Sequence, residues 1–181
     1  NKSMYSSLNN APIIKNIVAY NIINQTITWL SYDGFLYNSD ILGNLKEKVT
    51  LKMFPVKTGL KYKVIMVSGE TFLKENNNLF LLNKETKSFD IFYNNINDFK
   101  ASPSGQKVLY FNDKEIIYTI LQNKERVAID SLKNIRDCYW INDDYITCSS
   151  GDDIIISEID VRGNLNVINL PKSITLTSGK I

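Results

Sequence analysis

The feature that constrains this chain most is a repeated pattern, a polar turn cluster followed by a short aliphatic and aromatic run. The runs begin at Phe35, Leu79, Ile116 and Ile154, with spacings of 44, 37 and 38 residues. Repeats of about 40 residues that hold several short strands are typical of β-propeller blades. The sequence therefore predicts an all-β fold, a propeller or propeller segment of about four four-stranded antiparallel blades. A β-sandwich is the structural alternative.

The same repeat predicts the domain organisation. We expect a single propeller-type domain over residues 1–181, with repeat units at about 14–60, 61–97, 98–134 and 135–170. Residues 171–181 are then a tail or the beginning of a further blade. Because the sequence begins at Asn1 rather than at a methionine, we expect either an excised piece of a longer protein or a mature form. The edge strands of such a piece can pair with another copy, edge to edge.

Hydrophobic patterning favours strands over helices. Between residues 45 and 53, Leu45, Val49, Leu51 and Met53 alternate with lysines and Thr50, which predicts a half-buried strand. The best helical candidate, residues 124–135, has irregular apolar spacing and is interpreted as a strand plus a connection.

The clearest hairpin lies at residues 98–110. Its turn reads Ser102-Pro103-Ser104-Gly105, where Pro103 fixes φ for the first corner and Gly105 can take a positive φ. The stretch resembles the S-P-D-G-x-x-[ILV]-[AL]-[YF] hairpin of TolB-type (WD40-like) propeller blades. Ser104 stands where that family usually has Asp, and its hydroxyl can also make a side-chain turn bond.

The order of motifs over residues 26–170 is similar to the propeller region of bacterial PEGA-domain envelope proteins. The matching stretches are 27–37, the 102–110 hairpin and 137–164. The resemblance implies a propeller in the cell envelope, outside the cytoplasm, tethered by a membrane segment upstream of these residues.

Composition excludes several kinds of chemistry. The chain has no histidine, which excludes Ser-His-Asp and Cys-His catalysis and histidine-ligated zinc or haem. The 21 basic and 19 acidic residues are interspersed and few are arginines, so we expect no nucleic-acid partner. No apolar run is long enough to cross a membrane, and no phosphate-binding glycine motif occurs. We therefore expect no membrane insertion by this piece, no cofactor and no metal.

Two cysteines flank a predicted hairpin loop at Asn142-Asp143-Asp144. A three-residue loop places Cys138 directly opposite Cys148, where they can form a disulfide in an oxidising compartment. The alternative is a pair of free cysteines buried beside Trp140.

The candidates for ligand contact lie in or beside turns. They are two tyrosines and two pairs of carboxylates: Tyr32, Asp143, Asp144, Tyr145, Asp152 and Asp153. Paired carboxylates can supply oxygen ligands to Ca²⁺ or the two carboxylates of a glycosidase. Capping of turns by solvated Asp explains the same residues without any chemistry.

Two fragments of serine-enzyme motifs are interpreted as coincidence. Ser104 to Lys107 matches S-x-x-K, and Lys57-Thr58-Gly59 matches K-T-G. Their order along the chain is reversed relative to the penicillin-recognising enzymes, and no S-D-N follows.

The leading functional hypothesis is a non-catalytic binding scaffold at the bacterial cell surface, with a protein or a glycan as its partner. The alternative is a carboxylate-dependent polysaccharide hydrolase or lyase. A third hypothesis is a structural spacer within a larger envelope protein.

Overall fold

The computed structural model describes residues 2–5, 12–129, 134–151, 153–160 and 166–171. All regular secondary structure within these residues is β-strand, which confirms the all-β prediction. The strands form four antiparallel sheets, and each strand pairs with its neighbours in the sequence. The chain divides into two compact units, an N-terminal unit, Asn1–Asn95, and a C-terminal unit, Ile96–Ile181.

The N-terminal unit contains a five-stranded and a four-stranded sheet. The first consists of β1 (Lys2–Tyr5), β2 (Pro12–Ile23), β3 (Thr26–Ser31), β4 (Leu36–Asp40) and β5 (Glu47–Lys48). The second consists of β6 (Tyr62–Val67), β7 (Glu70–Glu75), β8 (Asn78–Asn83) and β9 (Ser88–Tyr93).

The C-terminal unit contains two four-stranded sheets. One consists of β10 (Asp98–Ala101), β11 (Lys107–Phe111), β12 (Ile116–Ile120) and β13 (Glu125–Ala128). The other consists of β14 (Ile135–Trp140), β15 (Tyr145–Ser150), β16 (Asp153–Glu158) and β17 (Val167–Pro171). The strands predicted after the four turn clusters are β4, β8, β12 and β16, and β13 is the strand predicted within residues 124–135.

Phe54 joins the two sheets of the N-terminal unit. Its buried ring meets Tyr62, Phe80 and Phe89 edge-on, with centroid separations of 6.4, 4.9 and 5.8 Å. Such edge-to-face contacts add to the free energy of burying the rings. The rest of this cluster comes from both sheets: Ala19, Leu30, Leu36, Val64 and Leu73.

The core of the C-terminal unit also runs through both of its sheets. Leu109 and Tyr118 from one sheet and Cys138, Ile146 and Cys148 from the other belong to a single buried cluster. The indole of Trp140 packs against this cluster, and its Nε1–H donates to the carbonyl oxygen of Lys100 at 3.1 Å. Burial and the hydrogen bond of Trp140 thus both connect the two sheets.

Asparagine side chains close many of the turns between these strands. Oδ1 of Asn83, Asn112 and Asn142 accepts from the backbone N–H groups two and three residues ahead, at 2.8–3.1 Å. Asparagine also supplies half of the described non-glycine residues with positive φ, a conformation it tolerates better than most: Asn16, Asn24, Asn76, Asn95 and Asn134. Turn formation therefore accounts for part of the asparagine content.

The turn between β10 and β11 has the predicted chemistry. Gly105 takes a φ of 72°, and its N–H donates to the carbonyl oxygen of Ser102 at 2.9 Å. Ser104 Oγ accepts from the N–H of Gln106 at 3.2 Å. A serine hydroxyl therefore makes the side-chain turn bond that an aspartate would make.

The predicted half-buried strand at residues 45–53 is wrong. Only Glu47 and Lys48 pair in the sheet, and the predicted core residues Leu45, Leu51 and Met53 are 85%, 68% and 63% exposed. Leu45 has a left-handed φ of 52°, and Thr50 is buried because its Oγ1 accepts from the N–H of Leu36 at 3.0 Å. The segment crosses from the first sheet to Phe54. Hydrogen bonding to the backbone, here the bond between Thr50 Oγ1 and the N–H of Leu36, rather than alternation decides which side chain is buried.

Two glycines of the N-terminal unit provide a matched test of this packing. Gly34 and Gly59 have nearly the same φ, 82° and 84°, but a Cβ at Gly34 would overlap the carbonyl oxygen of Phe54, whereas Gly59 faces open space. We expect Gly59→Ala to cost about 1–2 kcal/mol through its φ alone. Gly34→Ala should cost about 3 kcal/mol or more, since overpacking is added. Urea denaturation of both variants measures the difference, and equal losses would contradict the contact with Phe54.

Candidate functional site

Two turns of the C-terminal unit are locked together around Asp143. The side chain of Asp143, in the turn between β14 and β15, accepts at Oδ1 from the N–H and the hydroxyl of Ser104, at 3.1 and 2.7 Å. Lys107 Nζ donates to the carbonyl oxygen of Asp143 at 2.7 Å and lies 3.5 Å from Asp144 Oδ1. Ser104 and Lys107, the S-x-x-K fragment, therefore attach one sheet of this unit to the other.

These contacts stabilise the ionised form of Asp143. The hydroxyl of Ser104, then its N–H and then the hydroxyl of Ser102 hold the pKa of this carboxyl below its ordinary value, with a smaller contribution from Lys107. Hydrogen bonds to a carboxylate favour its charged form. Asp143 is thus ionised at neutral pH and engaged in turn structure.

A groove of about 540 Å³ opens beside this lock, between the two sheets of the C-terminal unit. Tyr118, Ile120 and Val127 form part of its wall, and Tyr145 also lines it. Four carboxylates and one ammonium group lie along it: Glu125, Asp144, Glu158, Asp160 and Lys107. We call it the acidic groove. It brings together Asp144 and Tyr145 of the predicted site.

Asp143 and Asp153, two other predicted carboxylates, do not line this groove. Asp153 begins β16 and pairs with Ser150, at the far end of the hairpin from Asp144 and Tyr145. Five strand steps separate the two ends, which is about 17 Å. A glycosidase needs its two carboxylates about 5–10 Å apart, so Asp153 does not form such a pair with Asp143 or Asp144. Asp152 lies outside the described residues.

Cys138 and Cys148 are joined by a disulfide in the same sheet. They face each other across β14 and β15, with a Cα–Cα distance of 4.1 Å. Both are essentially unexposed, at 0% and 1%, and both belong to the core of the C-terminal unit. The bridge therefore contributes to stability and presents no thiol to a ligand.

Tyr32 lies in the N-terminal unit, in the turn between β3 and β4. Its N–H donates to the carbonyl oxygen of Asn16 at 3.0 Å, and the residue is 45% exposed. It lines a groove of about 560 Å³ formed with the loop that leads into β6. We call this the lysine groove, because Lys57 and Lys61 lie on the same loop and also line it.

Tyr62 connects the lysine groove to the protein interior. Its hydroxyl donates to Glu75 Oε1 at 2.8 Å and accepts from the N–H of Lys57 at 2.9 Å. Burial raises the pKa of the Tyr62 phenol, and the bond to Glu75 raises it further. The phenol therefore stays protonated at neutral pH and holds the loop in place.

Sequence reasoning missed Lys57, Lys61 and Lys107, because lysine is common on any protein surface. The available signals were the K-T-G and S-x-x-K fragments, which place a small turn residue two or three positions from a lysine. Sequence reasoning also missed a cluster between β10 and β14. Lys100 Nζ pairs with Asp98 at 2.7 Å and lies 4.5 Å from the ring centroid of Tyr139. The hydroxyl of Tyr139 donates to Asp137 Oδ2 at 2.6 Å.

The described residues contain no group of three or more His, Cys, Asp or Glu side chains placed to hold a metal ion. Within the same residues, no helix is long and apolar enough to cross a membrane.

No protein-family model matches this chain, and a search of curated proteins finds no significant relative. The similarity to TolB-type blades therefore remains a resemblance of short motifs.

The lock around Asp143 predicts a pH dependence. Because the folded-state pKa of Asp143 is lowered, its contribution to stability is present above the unfolded-state pKa, about 4, and is lost as the pH falls through the folded-state value. Asp143→Asn should therefore be less stable than the wild type at about pH 7, and the difference should shrink below about pH 4. Urea denaturation at several pH values measures it. Asp153→Asn, at the far end of the hairpin, is the control, and a pH-independent difference for Asp143→Asn would contradict the interpretation.

The disulfide makes a second prediction. It closes a loop with a sequence separation of 10. Reducing it should lower the free energy of unfolding by about 2–3 kcal/mol, the loss expected for a loop of this length. Urea denaturation with and without dithiothreitol tests this. The double variant Cys138→Ala/Cys148→Ala should be insensitive to the reductant, and an unchanged wild-type midpoint would argue against a structural role for the bridge.

Proposed function

We propose that this chain is part of a non-catalytic binding scaffold of β-propeller type at the bacterial cell surface. Its partner is a protein or a glycan. The observation that carries the binding role is a preformed groove between neighbouring sheets in each unit, of about 560 and 540 Å³. These volumes fall within the range of ordinary ligand sites, about 300–1,000 Å³.

Strand order supports the propeller. In all four sheets the strands pair in the order of the sequence, as they do in the blades of a propeller. The turn between β10 and β11 adds the chemistry of a TolB-type hairpin, with Gly105 at positive φ and Ser104 in the side-chain turn bond. The cell-envelope location rests on the resemblance to PEGA-domain proteins.

The roles of the predicted carboxylates Asp143, Asp144 and Asp153 support binding rather than hydrolysis by these three residues. Asp143 is held by Ser104, and Asp144 lies beside Lys107, so both act in the contact between two turns. Asp153 lies about 17 Å away along the hairpin, beyond the separation that glycoside hydrolysis uses.

The ends of the sheets offer a second way to bind. β17 is the last strand of its sheet, and its exposed apolar side chains are Val167, Ile168 and Leu170. Edge strands of this kind pair with other chains, so edge-to-edge association with a second copy belongs to the same proposal.

A single experiment with two readouts, binding and polysaccharide cleavage, tests the proposed function. The purified chain is applied to arrays of bacterial surface polysaccharides and surface proteins, and the same polysaccharides are analysed by mass spectrometry after incubation. We expect saturable binding without shortening of any polysaccharide. If the wild type releases shortened polysaccharide and Asp143→Asn or Asp144→Asn does not, the scaffold proposal is wrong and the chain is a hydrolase or lyase. Binding to nothing on either array would leave a spacer.

A further inference from the structure

We propose that the lysine groove of the N-terminal unit binds an anionic saccharide, in which uronate carboxylates or comparable acidic groups alternate with exposed sugar faces. The inference rests on the proposed function, because it names the ligand class of one of the grooves described above. It uses an exposed aromatic residue, two lysines that form no ion pair with the described residues, and a loop that is already fixed.

The groove combines an aromatic residue with apolar walls. Tyr32, which is 45% exposed, lines it together with the half-buried side chains of Val18, Val56 and Leu60. The C–H face of a pyranose packs on an aromatic ring and on aliphatic walls, as other apolar surfaces do. A volume of about 560 Å³ admits two or three sugar rings.

The charge of the groove selects an anion. Lys57 and Lys61 line it, and none of the described Asp or Glu residues does. Neither lysine forms an ion pair within the part of the chain that the structure describes, so both ammonium groups are available. Two cations on one short loop favour a ligand that carries repeated negative charges.

The loop between Phe54 and β6 is held in its position before any ligand arrives. The N–H of Lys57 donates to the hydroxyl of Tyr62 at 2.9 Å, and the N–H of Lys61 donates to Asn76 Oδ1 at 2.9 Å. The carbonyl of Lys61 in turn accepts from the N–H of Asn76 at 2.8 Å. A loop fixed at both ends loses little conformational entropy on binding.

The same hydrogen bonds disfavour an acidic peptide. Extended peptides gain much of their affinity by adding a strand to free backbone N–H and C=O groups. At Lys57 and Lys61 these N–H groups are already used. A saccharide needs only the ring, the apolar walls and the ammonium groups.

Isothermal titration of the full chain with hexagalacturonate tests the inference, and the fully methyl-esterified hexamer serves as an uncharged ligand with the same sugar rings. We expect the acid to bind at least about tenfold more tightly than the ester, with an affinity that falls as salt is added. Tyr32→Ala and the double variant Lys57→Ala/Lys61→Ala should each lower the affinity about tenfold. The double variant should also lose most of the salt dependence.

Matched variants control for folding and for general charge. Tyr32→Phe keeps the ring and should bind within about twofold of the wild type. Tyr20→Ala removes a tyrosine of similar exposure, 53%, that does not line the lysine groove, and Lys52→Ala removes an exposed lysine outside it. Both should bind as the wild type does. Thermal unfolding of each variant confirms that it is folded.

Three outcomes would overturn the inference. The first is no binding of hexagalacturonate at about 10 mM, where even a very weak site fills. The second is binding that Tyr32→Ala and the lysine double variant leave unchanged. The third is hexaglutamate binding as tightly as the saccharide. None of these decides the proposed function, which depends on the array binding and on the absence of polysaccharide turnover.

Discussion

Successive side chains of a β-strand point to opposite faces, so each hairpin of this chain must keep its register to bury the right side chains. The turns maintain that register. Gly105 supplies a left-handed residue in one hairpin, and Asn142 accepts two backbone N–H groups in another. Because the second hairpin is in register, Cys138 meets Cys148 and both reach the core. The apolar clusters of both units depend on such turn contacts.

Packing within each unit creates the lysine groove and the acidic groove and leaves their rims polar. Most of the buried residues of the strands are apolar, and the charged groups at each rim come mainly from turns, loops and strand ends. In the N-terminal unit these are lysines on the loop before β6, and in the C-terminal unit they are mostly carboxylates near the β14–β15 turn. Similar sheets therefore produce grooves of opposite charge, and selectivity between ligands follows from a few turn residues rather than from the fold.

Local patterns in the sequence predict the strands well where turn chemistry is explicit. The run after each turn cluster is a strand, and the Ser102–Gly105 turn closes as its proline and glycine require. The strand predicted at residues 45–53 is wrong for a physical reason. Alternation of apolar and polar residues does not reveal that Thr50 accepts from the N–H of Leu36 while the chain crosses between sheets. Local patterns in the sequence do not predict the grooves either. Lys57 and Tyr32 line one groove because of the path of the loop before β6, which Tyr62 and Asn76 hold in place.

The burial of the Cys138–Cys148 bridge has a kinetic consequence. A reductant in solution cannot attack a sulfur enclosed by the core, so exchange must wait until β14 and β15 open. The rate of reduction then depends on how often this hairpin opens, and it is independent of the attacking thiol only where attack is faster than reclosing. A molecule moved into a reducing environment would therefore stay oxidised for a time that depends on the local unfolding of this hairpin.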